Sequence, residues 1–256
     1  MKFFNRYPKV PYKFGSMRST TDFTNLSVYA DIIDSISDDS SLYTLVDVRD
    51  QERPDLLSDR LYDDSSLGWT FKFMNEDLRT GSWPMGYQDF QDKLAEDLPG
   101  QCLVCRETEA SPTTGADVLQ MVSRFNIGSL VYGTNSTAQG TVYARNASLG
   151  QIFVNVTSGA FVAGETIQDV IAPATPNEFL TVDTVSLAPQ ATHHYENADG
   201  DAVDVDVTTG IVPAGYVEVT YENVYENKNA DLSKVRVLRS DVARQLAIRY
   251  REIINS

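Results

Sequence analysis

The sequence predicts an α+β protein of two or three modules, and three observations carry that reading. A β-rich hexapeptide, "YTLVDV", is followed by two helical patterns within residues 43–75. Residues 106–190 lose charge and gain Thr, Val, Gly and Ser, which suits a β-rich insert of small-barrel or sandwich type. The closing stretch, "SDVARQLAIRYREIINS", spaces its apolar residues as a helix does. A chain of 256 residues, 42% of them hydrophobic, is long enough to bury more than one small core.

Residues 1–42 read as an N-terminal arm, rich in Pro and Tyr, that becomes amphipathic in "DFTNLSVYADIIDSI". Leu26, Tyr29 or Ala30, and Ile33 recur at helical spacing, and Asp22 or Thr24 is the expected cap. Residues 43–105 are the expected first module. "RPDLLSDRLY" is a helix with Pro54 in its first turn, where a missing N–H costs little, and with Leu57 and Leu61 on one face. "SSLGWTFKFMN" is a second helix, capped by Ser65 or Ser66, with Leu67, Phe71 and Met74 as its stripe and Trp69 in the core. Gly81 makes a turn, Trp83 and Tyr87 follow as an aromatic pair, and a short helix ends at Pro99-Gly100.

In the insert, "LVYG", "GTVYAR", "QIFVNV" and "GETIQDV" read as strands between Gly or Asn turns. "GSLVYG" at 128–133 and "GAFVAG" at 159–164 share Gly-x-x-Val-x-Gly, which fits one strand-to-turn device used twice. Residues 191–256 begin with a hairpin, "HHYENADGDAVDVDV", turning at Asp199-Gly200. A helix capped by Ser240 follows, with Val242, Leu246, Tyr250 and Ile253 as its stripe.

The formal net charge is −15, from 21 Lys and Arg against 36 Asp and Glu. Nucleic-acid wrapping and adsorption to anionic membranes both need the opposite balance. No apolar run suits a signal peptide or a membrane span, so a product made in a cytoplasm is expected, where the sequons at Asn135 and Asn155 carry no meaning. The two cysteines, Cys102 and Cys105, flank Leu and Val as in a strand interior and are expected to be structural. The two histidines, His193 and His194, are expected on opposite faces of a strand. The acids of "NADGDAVDVD" alternate as a hairpin's solvent face does and miss the calcium-loop pattern. No triad, phosphate loop or zinc-protease motif stands in the chain, so neither catalysis nor a cofactor or metal is expected.

The segment "YTLVDVRDQERPDLLSDRLYDDSSLGWTFKFMNEDLRTGSWPMGYQDF" resembles a LysM module. Over its full length it resembles the baseplate wedge protein of contractile-tailed bacteriophages that carries a LysM-like domain. The likeness rests on Tyr43, on Glu52-Arg53-Pro54 opening the first helix, on Leu57, Leu61 and Tyr62 within it, on Trp69, and on Asn75 followed by Trp83-Pro84. "FTNLSVYADII" and the stretch from His193 to Ile254 match more loosely, whereas 106–190 resembles the Gly-, Thr- and Ser-rich inserts of phage structural proteins. Two departures stand out: "YDDSS" replaces Tyr-Gly-Asp, and "DQERP" replaces the Gly-Asp-Thr loop that holds N-acetyl sugars in LysM proteins.

The resemblance implies a LysM-like βααβ module and a structural role. The chain would join neighbouring wedge subunits and the sheath-like baseplate subunit in a multi-copy ring of the virion tail, after synthesis in the bacterial host cytoplasm. Trp83, Tyr87, Arg239, Arg244, Arg249 and Arg251 are the candidate protein-contact residues, the arginines because six Lys and Arg against three Asp and Glu make the last 27 residues locally basic. The alternatives are a peptidoglycan-binding LysM accessory module of a tail or cell-wall protein, and a glycan hydrolase.

Overall fold

The structure, a computed structural model, describes residues 9–12, 21–24, 40–111, 113–170 and 176–255. Strands β1 (Lys9–Tyr12) and β2 (Thr21–Thr24) pair antiparallel. The expected caps Asp22 and Thr24 therefore lie in a strand, and the helical stripe Leu26, Tyr29, Ala30 and Ile33 lies outside the described residues. Beyond them the chain divides into two compact units: residues up to Gln88 with those from Lys228 onward, and Asp89–Asn227. It mixes helix and sheet, as an α+β reading requires.

The first unit sets three short helices between two paired strands. It opens with β3 (Tyr43–Asp47), followed by α1 (Pro54–Tyr62). Pro54 occupies the first helical position, and Asp63 ends the helix in the left-handed region with its N–H donated to the Asp59 carbonyl. A 3-10 turn, Ser65–Leu67, is capped by Asp64, whose carboxylate accepts from the Ser66 N–H at 2.9 Å. The cap is thus Asp64 rather than either serine, since a carboxylate is the stronger acceptor for the free N–H groups. Two short helices follow, α2 (Thr70–Met74) and α3 (Glu76–Thr80), the second ending at Gly81.

The partner of β3 comes from far along the chain. After α4 (Tyr87–Asp97) come, among the described residues, twelve strands and α5 (Tyr221–Ser233), then β16 (Lys234–Leu238), antiparallel to β3 with Val235 opposite Val46. Helix α6 (Ser240–Asn255) closes the unit. Its first helical hydrogen bond runs from the Ala243 N–H to the Arg239 carbonyl, so Arg239, not Ser240, precedes the helix. Leu57, Tyr62, Leu67, Phe71, Met74, Val235, Val237 and Leu246 share one buried core.

The second unit is built on β4 (Gln101–Val104), β7 (Leu130–Gly133), β8 (Gln139–Asn146), β9 (Gln151–Ser158), β10 (Thr166–Gln168), β11 (Phe179–Thr181) and β12 (Thr184–Leu187). They form one antiparallel sheet in the order β11-β10-β7-β8-β9-β4-β12. Its two ends, β11 and β12, are consecutive halves of a single extended run. At their junction the Val182 N–H donates to Glu165 on the β10 side, and the Asp183 N–H donates to Val104 on the β4 side. The sheet closes on itself as a small barrel, the arrangement that removes open edges. Leu103, Val131, Val142, Ile152, Val154, Ile167 and Leu180 fill the interior, with Met121 and Phe125 packed among them. Alternate residues face out, where Cys102 and Phe153 pack with Ala188, Ala191 and Tyr221.

A β5–β6 hairpin (Thr108–Ala110, Asp117–Leu119) and a three-stranded sheet of β13 (Thr192–Glu196), β14 (Ala202–Val203) and β15 (Val217–Thr220) complete this unit. The turn between β13 and β14 contains Asp199-Gly200, with Gly200 at φ 84°.

Four sequence expectations are corrected. "CLVC" is a barrel strand between β9 and β12, so the expected boundary after Cys105 falls inside the second unit and the first module closes with β16. The boundary at 190/191 also falls within it. The second half of the glycine echo, 159–164, contains no strand: the chain there is loop, held where the Val162 N–H reaches the Glu165 carboxylate at 2.8 Å. The histidine rings meet instead of facing apart. The register slips between Thr192 and His194, making His193 the extra residue of a bulge, and the two Nδ1 atoms lie 2.9 Å apart.

Candidate functional site

Two of the residues that carry the resemblance, Glu52 and Trp83, meet at the loop between β3 and α1. Arg60 grips the Glu52 carboxylate with two hydrogen bonds of 2.7 and 2.8 Å, and the Arg49 N–H donates to the same group at 3.0 Å. The Arg60 bond is the main reason that the Glu52 carboxyl lies below its ordinary value, against the opposing pull of burial. Trp83 donates its indole N–H to the Glu52 carbonyl at 2.7 Å and sets its ring 6.0 Å from Phe71. The Tyr87 N–H donates to Asp50 at 2.9 Å. Asn229 holds the Met85 backbone from both sides, accepting from its N–H at 2.8 Å and donating to its carbonyl at 3.0 Å. Glu52 and Trp83 therefore fasten the loop. Trp83 is half-buried against the core, whereas Tyr87 is 70% exposed.

Asn75 is the second fastener. Its amide donates to the Phe71 and Arg236 carbonyls at 2.7 and 2.8 Å and accepts from the Arg236 N–H at 2.8 Å. One side chain thus joins the end of α2 to β16 across 161 positions of sequence. The Tyr62 hydroxyl donates to the Leu238 carbonyl at 3.0 Å, and burial pushes its phenol up to about 12. Tyr43 packs against the same core beneath the Arg236 guanidinium, 5.5 Å from the ring centre. Pro84 and Leu61 are partly buried, and Arg53 is exposed beside Asp55.

Helix α6 buries its apolar stripe within its own unit. Leu246 and Tyr250 are buried, Val242 is partly so, and Tyr250 lies 5.0 Å from the Trp69 ring; the side chain of Ile253 lies outside the described residues. The four arginines do not act alike. Arg244 donates to the Tyr62 carbonyl at 2.8 Å, at the C-terminus of α1, where carbonyls lack helical donors and a cation is favoured. It remains exposed while making this link to α1. Arg239 reaches Asp241 at 3.5 Å, and Arg249 and Arg251 are exposed. Leu45, Leu56 and Ile248 are exposed apolar residues of the same unit.

Arg60 and Asn229 escaped the sequence reading. Eight residues separate Glu52 from Arg60 across a turn, and 144 separate Met85 from Asn229, spacings that carry no local signal. Cys102 and Cys105 are free and buried, as expected, and burial pushes the Cys105 thiol up to about 12, away from the reactive thiolate. Among the described residues, no group of three or more His, Cys, Asp or Glu is placed to hold a metal ion, and no helix is long and apolar enough to cross a membrane. No family model matches this chain, and no curated protein or solved structure matches it.

Proposed function

We propose that this chain is a structural subunit of a phage tail baseplate wedge, with its first unit as a LysM-like βααβ module. It joins neighbouring wedge subunits and the sheath-like baseplate subunit in a multi-copy ring of the contractile tail, and it resides in the virion after synthesis in the host cytoplasm. One observation carries the reading. The segment that carries the resemblance most fully folds, up to Gln88, as one unit with the last part of the looser stretch, β16 and α6, through β3–β16 pairing and the Asn75 link. The earlier part of the looser stretch, 193–227, belongs to the other unit. The stretch outside the resemblance, 106–190, belongs wholly to the other unit.

The loop geometry favours assembly over sugar capture. Glu52 accepts from Arg60 through its carboxylate and from Trp83 through its carbonyl in the segment that replaces the sugar-holding loop of LysM proteins, and Tyr87, Leu45, Arg249 and Arg251 are exposed, the mixture that protein contacts use. The test is co-expression with the products of the adjacent structural genes, followed by size-exclusion chromatography and native mass spectrometry. A defined complex containing several wedge subunits is expected. A chain that elutes alone beside assembled wedges overturns the proposal, and retention on purified peptidoglycan would instead support the accessory-module reading.

A further inference from the structure

The histidine pair of β13 forms a cluster that the proposed role does not use. The register slip that makes His193 an extra residue brings its ring to that of His194, with the two Nδ1 atoms 2.9 Å apart. His193 is exposed, and its ring stands T-shaped to that of Tyr221 at 4.8 Å between centres. On the far side of His194, Nε2 lies 2.9 Å from Glu196 Oε1.

Glu196 decides the tautomer of its neighbour. A carboxylate only accepts, so the hydrogen of that contact belongs to His194 Nε2. A neutral His194 ring then has a bare lone pair at Nδ1, and the His193 Nδ1–H donates to it. The outer contact is also the one that orients metal-ligating histidines: the outer nitrogen donates to an acid, and the inner nitrogen is left to face an ion.

The spacing of the two inner nitrogens discriminates among metals. At metal–nitrogen lengths of about 2.0–2.1 Å, ligands about 90° apart stand about 2.8–3.0 Å from each other, whereas tetrahedral ligands stand about 3.3–3.4 Å apart. The pair, at 2.9 Å, matches the right-angled case. That geometry suits Cu(II) and Ni(II), while Zn(II) takes the tetrahedron.

We propose that His193 Nδ1 and His194 Nδ1 chelate one Cu(II) or Ni(II) ion, with Glu196 as the positioning residue behind His194. Cu(II) is the favoured of the two, since it stands above Ni(II) in affinity for a given site. On binding, the proton of His193 Nδ1 passes through solvent to Nε2 of the same exposed ring. Both Nδ1 lone pairs then face the metal, and both rings stay neutral. Among the described residues no group of three or more His, Cys, Asp or Glu is placed for a metal, so water completes the coordination. The site is an open chelate, unlike the closed cage of a structural zinc. The proposal does not rest on the baseplate reading and concerns the other unit.

The test is calorimetric titration of the full chain with Cu(II), Ni(II) and Zn(II) in turn, with EPR of the Cu(II) sample. One Cu(II) ion per chain is expected, with a tetragonal spectrum coupled to two imidazole nitrogens. His193→Gln and His194→Gln should each weaken binding at least about tenfold, because each removes one arm of the chelate. Glu196→Ala should weaken it about tenfold, and Glu196→Gln, whose amide oxygen still accepts, by less. Should His194→Gln fail to fold, His193→Gln at the exposed ring supplies the same reading. No Cu(II) bound at millimolar metal overturns the proposal. So does binding that the folded histidine variants leave unchanged, which would place the ion on other groups. A spectrum without two imidazole nitrogens, or Zn(II) bound more tightly than both other metals, overturns it as well.

Discussion

In the first unit β3 and β16 make a two-stranded sheet, whereas the second unit closes its strands into a barrel. The barrel pairs its strands on both sides around an aliphatic interior drawn from all of them. The smaller sheet pairs each strand once, and a two-stranded sheet is marginal without further support. That support is specific. Tyr62, Asn75 and Arg244 each tie a separate element to a backbone carbonyl, and Trp83 ties the β3–α1 loop to the core. Stability in the first unit thus hangs on a few named side chains, and in the second on a shared interior. The partners of β3 and Asn75 arrive only after residue 233, so the first unit is complete only when the last part of the chain is present.

The largest effects test that contrast directly. Phe71 is fully buried against Tyr62 and Trp83, and Phe71→Ala should destabilise the first unit by about 3–5 kcal/mol. Amide exchange should then accelerate throughout β3 and β16 while the barrel amides at Leu103 and Val154 remain protected. Leu103→Ala, at the barrel interior, should cost about 2–5 kcal/mol with the opposite pattern. Equal loss of protection in both units from either variant would mean that they unfold as one.

Asn75→Ala comes next. It removes three hydrogen bonds and leaves backbone groups of Phe71 and Arg236 without their partner, a loss of roughly 1–3 kcal/mol. Exchange should rise at Arg236 before it rises elsewhere in β16. Uniform exchange across the unit would show that Asn75 adds stability without locally securing the strand.

The elements of both units differ in how much of them the sequence displays. Pro54 and the strand alternation of 130–156 act through local sterics and periodicity, so α1 and the strands β7, β8 and β9 were legible. The apolar run "CLVC" was legible as a strand but not as a barrel strand, because burial on both faces looks alike in many folds. Barrel closure depends on how Val182 and Asp183 divide their pairing, which no residue type announces. The β3–β16 pairing and the Arg60 and Asn229 contacts are long-range in the same way. His193 shows the limit of a period rule: one inserted residue in β13 brought neighbouring side chains together.

Acid should act on both units, through Glu52 in the first and Glu165 in the second, with a smaller effect. In the second unit, burial pushes the Glu165 carboxyl up, but N–H donors from Ser136, Val162 and Asn135 and the Ser136 hydroxyl outweigh it and hold the group below its ordinary 4.5. The folded chain therefore binds fewer protons than the unfolded chain, and the stabilisation, complete above pH 4.5, is lost as pH falls through the folded value. His193 acts with the same sign at higher pH. Burial first, and His194 second, lower its pKa from 6.5, so stability declines as pH falls from 6.5 through the folded value. A pH series of barrel-amide exchange should show the His193 part vanish in His193→Gln and the lower part vanish in Glu165→Gln. A barrel whose stability is flat from neutral pH to below 4.5 would contradict both assignments.

The smallest effect on stability bears most directly on the proposed role. Arg244 and Arg249 lie five positions apart on α6 and are both exposed, yet the first donates to the end of α1. Arg244→Ala should lower stability by about 1–2 kcal/mol, because its bond ties α6 to α1. The double reversal Arg249→Glu, Arg251→Glu should change stability by no more than about 0.5 kcal/mol, as surface substitutions usually do. If these arginines meet acidic groups on wedge neighbours, the double reversal should still slow assembly, because charges at an interface rim act mainly on association rate. The defect should be greatest at low ionic strength and shrink as salt screens the repulsion. Assembly at the parent rate in low salt by the folded double variant would show that the basic end of α6 is merely solvated, and the contact surface would then have to be sought around Tyr87 and Leu45, the exposed groups nearest the fastened loop and on β3.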